Sequence, residues 1–64
     1  MNQKDKDIIR TLQKTRVGMS LYQISKDNGI AWVTVKKHVK KLIEYEIVIE
    51  KGDRYILNLE KIFA

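Results

Sequence analysis

The 64-residue chain has no cysteine and no proline, and only one histidine, one tryptophan and one phenylalanine. Without cysteine there is no disulfide and no thiolate metal site. A lone histidine does not make a zinc site. No apolar run approaches the roughly 18 residues that span a bilayer, and the opening MNQKDKD does not read as a signal peptide. A cytoplasmic protein with no membrane partner is therefore expected. Paired carboxylates, a Ser/His/Asp set, a glycine-rich phosphate loop and metal-ligand spacing are all missing from the pattern. The expectation is a protein that is not an enzyme, with no catalytic residue, no metal, no cofactor and no evident small-molecule ligand.

What is present is a hydrophobic fraction of 44%, ordinary for a globular chain and too high for disorder. A single domain over residues 1–64 is expected, and one this small buries only about 60% of the surface its unfolded chain exposes. Lysine and arginine outnumber aspartate and glutamate by 13 to 8, giving a net charge of +5. That balance suits a polyanion, whose condensed counterions are released as each phosphate is neutralised. Charge alone is a weak signal, since many small basic proteins are merely soluble.

The segment Ser20–Val48 carries the organisation. It holds two helical patterns broken at Asp27-Asn28-Gly29. Ser20 with Gln23 fits a capping box, Leu21 and Ile24 form a buried stripe, and Asn28-Gly29 tolerates the left-handed conformation that closes a helix. From Ala31 to Lys41 there are four lysines, one histidine and no acidic residue. At about 100° per residue, Val35, Val39 and Leu42 share one face with His38 at its margin. Val33, Lys36, Lys37 and Lys40 share the opposite face. A solvated basic face is the plain alternative to an anion-binding one. Upstream, Ile8, Ile9 and Leu12 predict a first helix over about Lys4–Thr15, followed by a break at Val17-Gly18-Met19 with Val17 and Met19 either tucked inward or extended. Tyr22 fits either an inward or an outward position.

After Tyr45-Glu46 the pattern becomes extended. Ile47–Lys51 and Arg54–Leu59 predict two strands, with Gly52-Asp53 as a two-residue type II′ turn. That register sets Lys51 opposite Arg54, Glu50 opposite Tyr55 and Ile49 opposite Ile56. The two cations at the tip repel unless an anion lies nearby. Ile62 and Phe63 cover the first helix or meet a second copy.

Helix, helix-turn-helix and β-hairpin in this order resemble the winged helix-turn-helix domain, a small transcription-regulator fold. The resemblance rests on Leu21, Ile24, Gly29-Ile30, Thr34-Val35, His38-Val39, Leu42 and the hairpin after Ile47-Val48, and covers nearly the whole chain. It implies an α+β fold in which a three-helix core precedes a C-terminal wing. Residues 31–45 would be the recognition helix in the major groove and residues 47–59 the wing. It further implies sequence-specific binding of double-stranded DNA, with transcription regulation as the role. Val33, Thr34, Lys36 and Lys37 would then approach bases or nearby phosphates, Lys40 and Lys41 phosphates, and Lys51 and Arg54 would act from the wing. Trp32 lies on the flank, partly buried or against a sugar or base edge, and the outward Val33 can meet a thymine methyl. Two departures are Ala31, where relatives often carry a capping hydroxyl, and Glu46, where they often carry glycine. A homodimer on a palindrome is a further expectation. The competing readings are a protein-docking module, with Tyr45, Ile62 and Phe63 as its patch, and an architectural binder that does not read sequence. The lysine- and isoleucine-rich, proline-free composition suits an archaeal or viral source.

Overall fold

The first helix begins where a capping box closes. In the computed structural model, which describes residues 2–63 and the side chains of residues 2–61, Asn2 accepts from the Asp5 N–H at 2.9 Å. The Asp5 carboxylate accepts in return from the Asn2 N–H, so two of the helix's unpaired donors are satisfied. The resulting α1, Gln3–Leu12, is shorter than the predicted Lys4–Thr15 at its C-terminal end. The chain leaves the helix because the Thr15 hydroxyl accepts from the N–H groups of Val17 and Gly18. A side chain that bonds the following backbone competes with helix continuation.

Gly18 then takes φ +95, and a Cβ there would sit 2.8 Å from Ile56 Cγ2. Only glycine allows the loop to lie this close to the hairpin. Met19 exchanges two backbone hydrogen bonds with Tyr55, of 3.1 and 2.8 Å, and forms an isolated antiparallel bridge. Met19 is thus both extended and partly buried against the core, while Val17 is exposed.

α2, Leu21–Asn28, starts at the predicted Ser20–Gln23 capping box, with both reciprocal bonds present. It stops at Gly29, whose φ of +64 is left-handed. Ile30 packs partly buried against the core, and the Ser25 hydroxyl bonds its carbonyl. α3, Trp32–Glu44, follows with Ala31 at its cap and no side-chain cap bond. It ends without glycine: Glu46 itself adopts φ +62. The Ile47 N–H bonds the Leu42 carbonyl and the Glu46 N–H the Ile43 carbonyl, both at 2.9 Å. These two bonds form a Schellman closure built on a glutamate.

β1, Val48–Lys51, pairs antiparallel with β2, Arg54–Leu57, in the predicted register from Val48↔Leu57 to Lys51↔Arg54. β2 stops at Leu57 rather than Leu59. The Asn58 N–H bonds the Ile47 carbonyl at 2.8 Å, and its side chain accepts from the Lys61 N–H, turning the chain into a short α4, Leu59–Phe63. Leu59 consequently stands exposed. The expectation for Ile62 and Phe63 concerns side chains outside those described.

The architecture is α+β, three main helices followed by a two-stranded hairpin. Its core is Ile8, Leu12, Ile24, Val35, Val39, Leu42, Val48 and Leu57, drawn from every one of α1, α2, α3, β1 and β2. Burying each such side chain stabilises by about 1.5–3 kcal/mol. Val35, Val39 and Leu42 are the inward face of α3, so its orientation is fixed and its opposite face is left to solvent. Among the described residues no helix is long and apolar enough to cross a membrane.

Candidate nucleic-acid interface

With Val35, Val39 and Leu42 anchored, helical periodicity sends Val33, Lys36, Lys37 and Lys40 outward together, and all four are exposed. Among the described residues the salt bridges are Lys14–Asp27, His38–Asp5, Lys41–Asp5 and Lys61–Glu46. Lys36, Lys37 and Lys40 take part in none of them. Their charges face solvent on one helix face, with the exposed Glu44 of the last turn one helical turn beyond Lys40. Thr34, on the flank, is half-buried.

Lys41 differs from its neighbours. Its Nζ lies 2.7 Å from Asp5 Oδ2, and the same carboxylate meets His38 Nδ1 at 2.8 Å. Asp5 has no exposed surface. Lys41, expected among the phosphate contacts, is therefore held toward α1 by a buried carboxylate, with its side chain 38% exposed. His38 lies at the margin of the inward face as expected, and Asp5 is the partner of its ring nitrogen. Burial pushes the Asp5 carboxyl up. Hydrogen bonds from Lys41 and His38, the Asn2 backbone N–H and the Lys41 charge outweigh it and hold the group below its ordinary range.

Asp27 does comparable work between α1 and α2. It accepts from the buried Thr11 hydroxyl at 3.0 Å and from Lys14 at 3.3 Å. Those partners, Thr11 first, lower its carboxyl. Asn28 adds a bond to Thr11 and one to the Ile24 carbonyl, both 2.9 Å. These contacts fix α2 against α1, and so fix the platform on which α3 rests.

At the hairpin tip Lys51 and Arg54 face each other in register. Arg54 Nη1 donates to the Gly18 carbonyl at 3.0 Å, so the guanidinium also ties the tip to the loop before α2. Lys51 is exposed and outside any salt bridge among the described residues. On the next pair, the Tyr55 hydroxyl donates to Glu50 at 3.1 Å. Burial first, and Glu50 second, raise the Tyr55 phenol.

Trp32 opens α3 and is 53% exposed, with Lys36 Nζ 5.9 Å from its ring centroid. Tyr22 on α2 is 68% exposed, with Lys26 Nζ 5.8 Å from its ring. Such pairs contribute about 0.5–1 kcal/mol when exposed. Trp32 and Tyr22 line one shallow groove with Ser20, Leu21, Asp53 and Tyr55. The start of α2, the start of α3 and the hairpin tip therefore converge. Tyr22 and Lys26 were legible only as an i, i+4 pair, and nothing in their spacing joins them to Trp32. The Asp5 network was hidden for the same reason, because a carboxylate in a first turn reads equally well as a helix-dipole partner.

Among the described residues no group of three or more histidine, cysteine or carboxylate side chains is placed to hold a metal. No protein-family model, curated protein or solved structure matches the chain.

Proposed function

We propose that the chain is a winged helix-turn-helix protein that binds double-stranded DNA sequence-specifically and regulates transcription. In this reading α3 is the recognition helix and the β1–β2 hairpin is the wing. The observation that carries it is the lysine face of α3: Lys36, Lys37 and Lys40 exposed together, with no carboxylate among them, on a helix whose other face is fully buried. A helix about 10–12 Å across fits the major groove, and its outward lysines meet the flanking phosphates. Lys51 at the hairpin tip supplies a second phosphate contact at a distance from the first. Two separated cationic points orient a protein on a duplex better than one.

A docking module is the second reading, and it has its own observation. Tyr45 and Leu59 are exposed, and a separate groove is lined by Ile43, Val48 and Ile49 with Glu46, Glu50, Glu60 and a single cation, Lys61. That surface is acidic and repels DNA, so the two readings use different faces.

Selection from a random-sequence duplex pool, repeated at two salt concentrations, separates the possibilities. An enriched motif that weakens in Lys37→Ala supports a sequence reader, and a palindromic motif adds the homodimer. Salt-sensitive binding without a motif replaces it with an architectural role. Failure to bind at low salt removes the DNA reading and leaves docking.

A further inference from the structure

The outward side of α3 is short of the side chains that read bases by paired hydrogen bonds. Between Ala31 and Lys41 there is no arginine, asparagine, glutamine, aspartate or glutamate. Arginine reads guanine and asparagine or glutamine reads adenine through two bonds, while a carboxylate accepts from the cytosine amino group. Lysine reaches guanine, but as a flexible point charge. What the first turn of α3 presents instead is apolar: Val33 is 64% exposed and Trp32 53%. Single exposed apolar residues are ordinary. Here two are consecutive, the tyrosine of α2 shares their end of the molecule, and lysines flank them.

In the major groove the one apolar feature of a base edge is the methyl group at C5 of a pyrimidine. We propose that Val33 is a reader of pyrimidine 5-methyl groups, so that the bound duplex carries a 5-methylpyrimidine opposite the first turn of α3. The inference rests on the DNA-binding reading above and adds the chemical group that is recognised. Val33 and Lys37 are one helical turn apart on the same outward face, so phosphate contact by Lys37 and methyl contact by Val33 are made in one docking pose. Lys36 lies over the Trp32 ring, its Nζ 5.9 Å from the centroid, so a cation borders the apolar first turn. Thymine and 5-methylcytosine both carry the group, and they differ in the acceptor or donor next to it.

The test takes the tightest duplex from the selection and replaces its thymines one at a time with deoxyuridine, which removes the methyl and leaves the pairing. Burying one methyl corresponds to about a fourfold change in affinity. The expected result is a loss of about that size at one or two thymines for the unaltered protein. Val33→Ala should lose the discrimination there, binding the thymine and uracil duplexes equally. Lys37→Ala should weaken both duplexes and keep the ratio. Replacing the sensitive T·A pair by C·G, with the cytosine plain or 5-methylated, identifies the source. Recovery with 5-methylcytosine assigns the methyl alone, and no recovery assigns thymine with its O4 acceptor. Equal affinity of the unaltered protein for every thymine and uracil duplex overturns the inference while leaving DNA binding intact. A selected site with no thymine does the same. Absence of binding to any duplex overturns both.

Discussion

Asp5 and Lys41 join the first helix to the third: the Lys41 ammonium lies 2.7 Å from a carboxylate that has no exposed surface. His38 meets the other oxygen at 2.8 Å, and the Asn2 N–H bonds the carboxylate at its helix end. One side chain thus caps α1 and fixes the rotation of α3. Asp5→Ala removes both functions and leaves His38 and Lys41 without a buried acceptor. Lys41 can still reach water, which moderates the loss. The expected cost is about 2 kcal/mol, equivalent to roughly 10 °C in the melting midpoint of so small a domain. Thermal unfolding followed by circular dichroism measures it, and a midpoint unchanged within about 2 °C would contradict the role assigned to Asp5.

The same carboxylate sets an acid limit. Its native pKa lies below the unfolded value of about 3.9, so the folded state holds its proton less tightly than the unfolded state. The stabilisation is fully present above the unfolded value and is lost as pH falls through the native one. The exposed Asp27, lowered by Thr11 and Lys14, acts in the same direction. The melting midpoint should be flat with respect to these groups above about pH 5 and should decline from about pH 4 downward. Asp5→Asn should melt lower at neutral pH and show a shallower decline in acid. An identical acid slope in the two proteins would mean that another group carries it.

Glu46 pays for the end of α3 with backbone strain. It sits at φ +62, and among the described residues its side chain makes a surface pair with Lys61 at 3.4 Å. An L-residue in this region costs about 1–2 kcal/mol relative to the right-handed one, and glycine is free of most of that. Glycine gives back part of the gain through the greater freedom of its unfolded chain. Glu46→Gly should therefore stabilise by about 0.5–1 kcal/mol, raising the midpoint by roughly 4 °C. A lower midpoint would show that the Lys61 contact outweighs the strain.

Which features were legible follows from the range over which they are specified. The Ser20–Gln23 cap and the Gly52-Asp53 turn are set by residues within four positions of one another, and both occur as expected. The inward face of α3 follows from helical periodicity alone. Leu59 was misplaced because an apolar residue after a strand extends its alternation equally well. What redirects the chain is the cap at Asn58. The end of α1 was overrun because Thr15 reads as a helix residue until its hydroxyl is seen to hold the Val17 and Gly18 N–H groups. Lys41 is the instructive residue within the candidate interface. In the sequence it is one more lysine after Lys40, and only the packing of α1 on α3 brings Asp5 to it.

That contrast between adjacent lysines gives a direct test of the interface. Lys37 and Lys40 are exposed and outside any salt bridge among the described residues, whereas Lys41 is engaged by Asp5. On a bound duplex, each lysine that neutralises a phosphate contributes close to one unit to the slope of log affinity against log salt. Lys37→Ala and Lys40→Ala should each reduce that slope by about 1 and leave the melting midpoint within about 2 °C of the parent. Lys41→Ala should do the reverse, lowering the midpoint by several degrees with little change in slope. Fluorescence anisotropy of a labelled duplex across a salt series, paired with melting of the same variants, reads both quantities. A Lys41→Ala slope reduced as much as that of Lys37→Ala would mean that Asp5 releases the ammonium on binding. In that case the α1–α3 link itself would loosen when the protein meets its duplex, and the cost of loosening it would already be contained in the measured affinity.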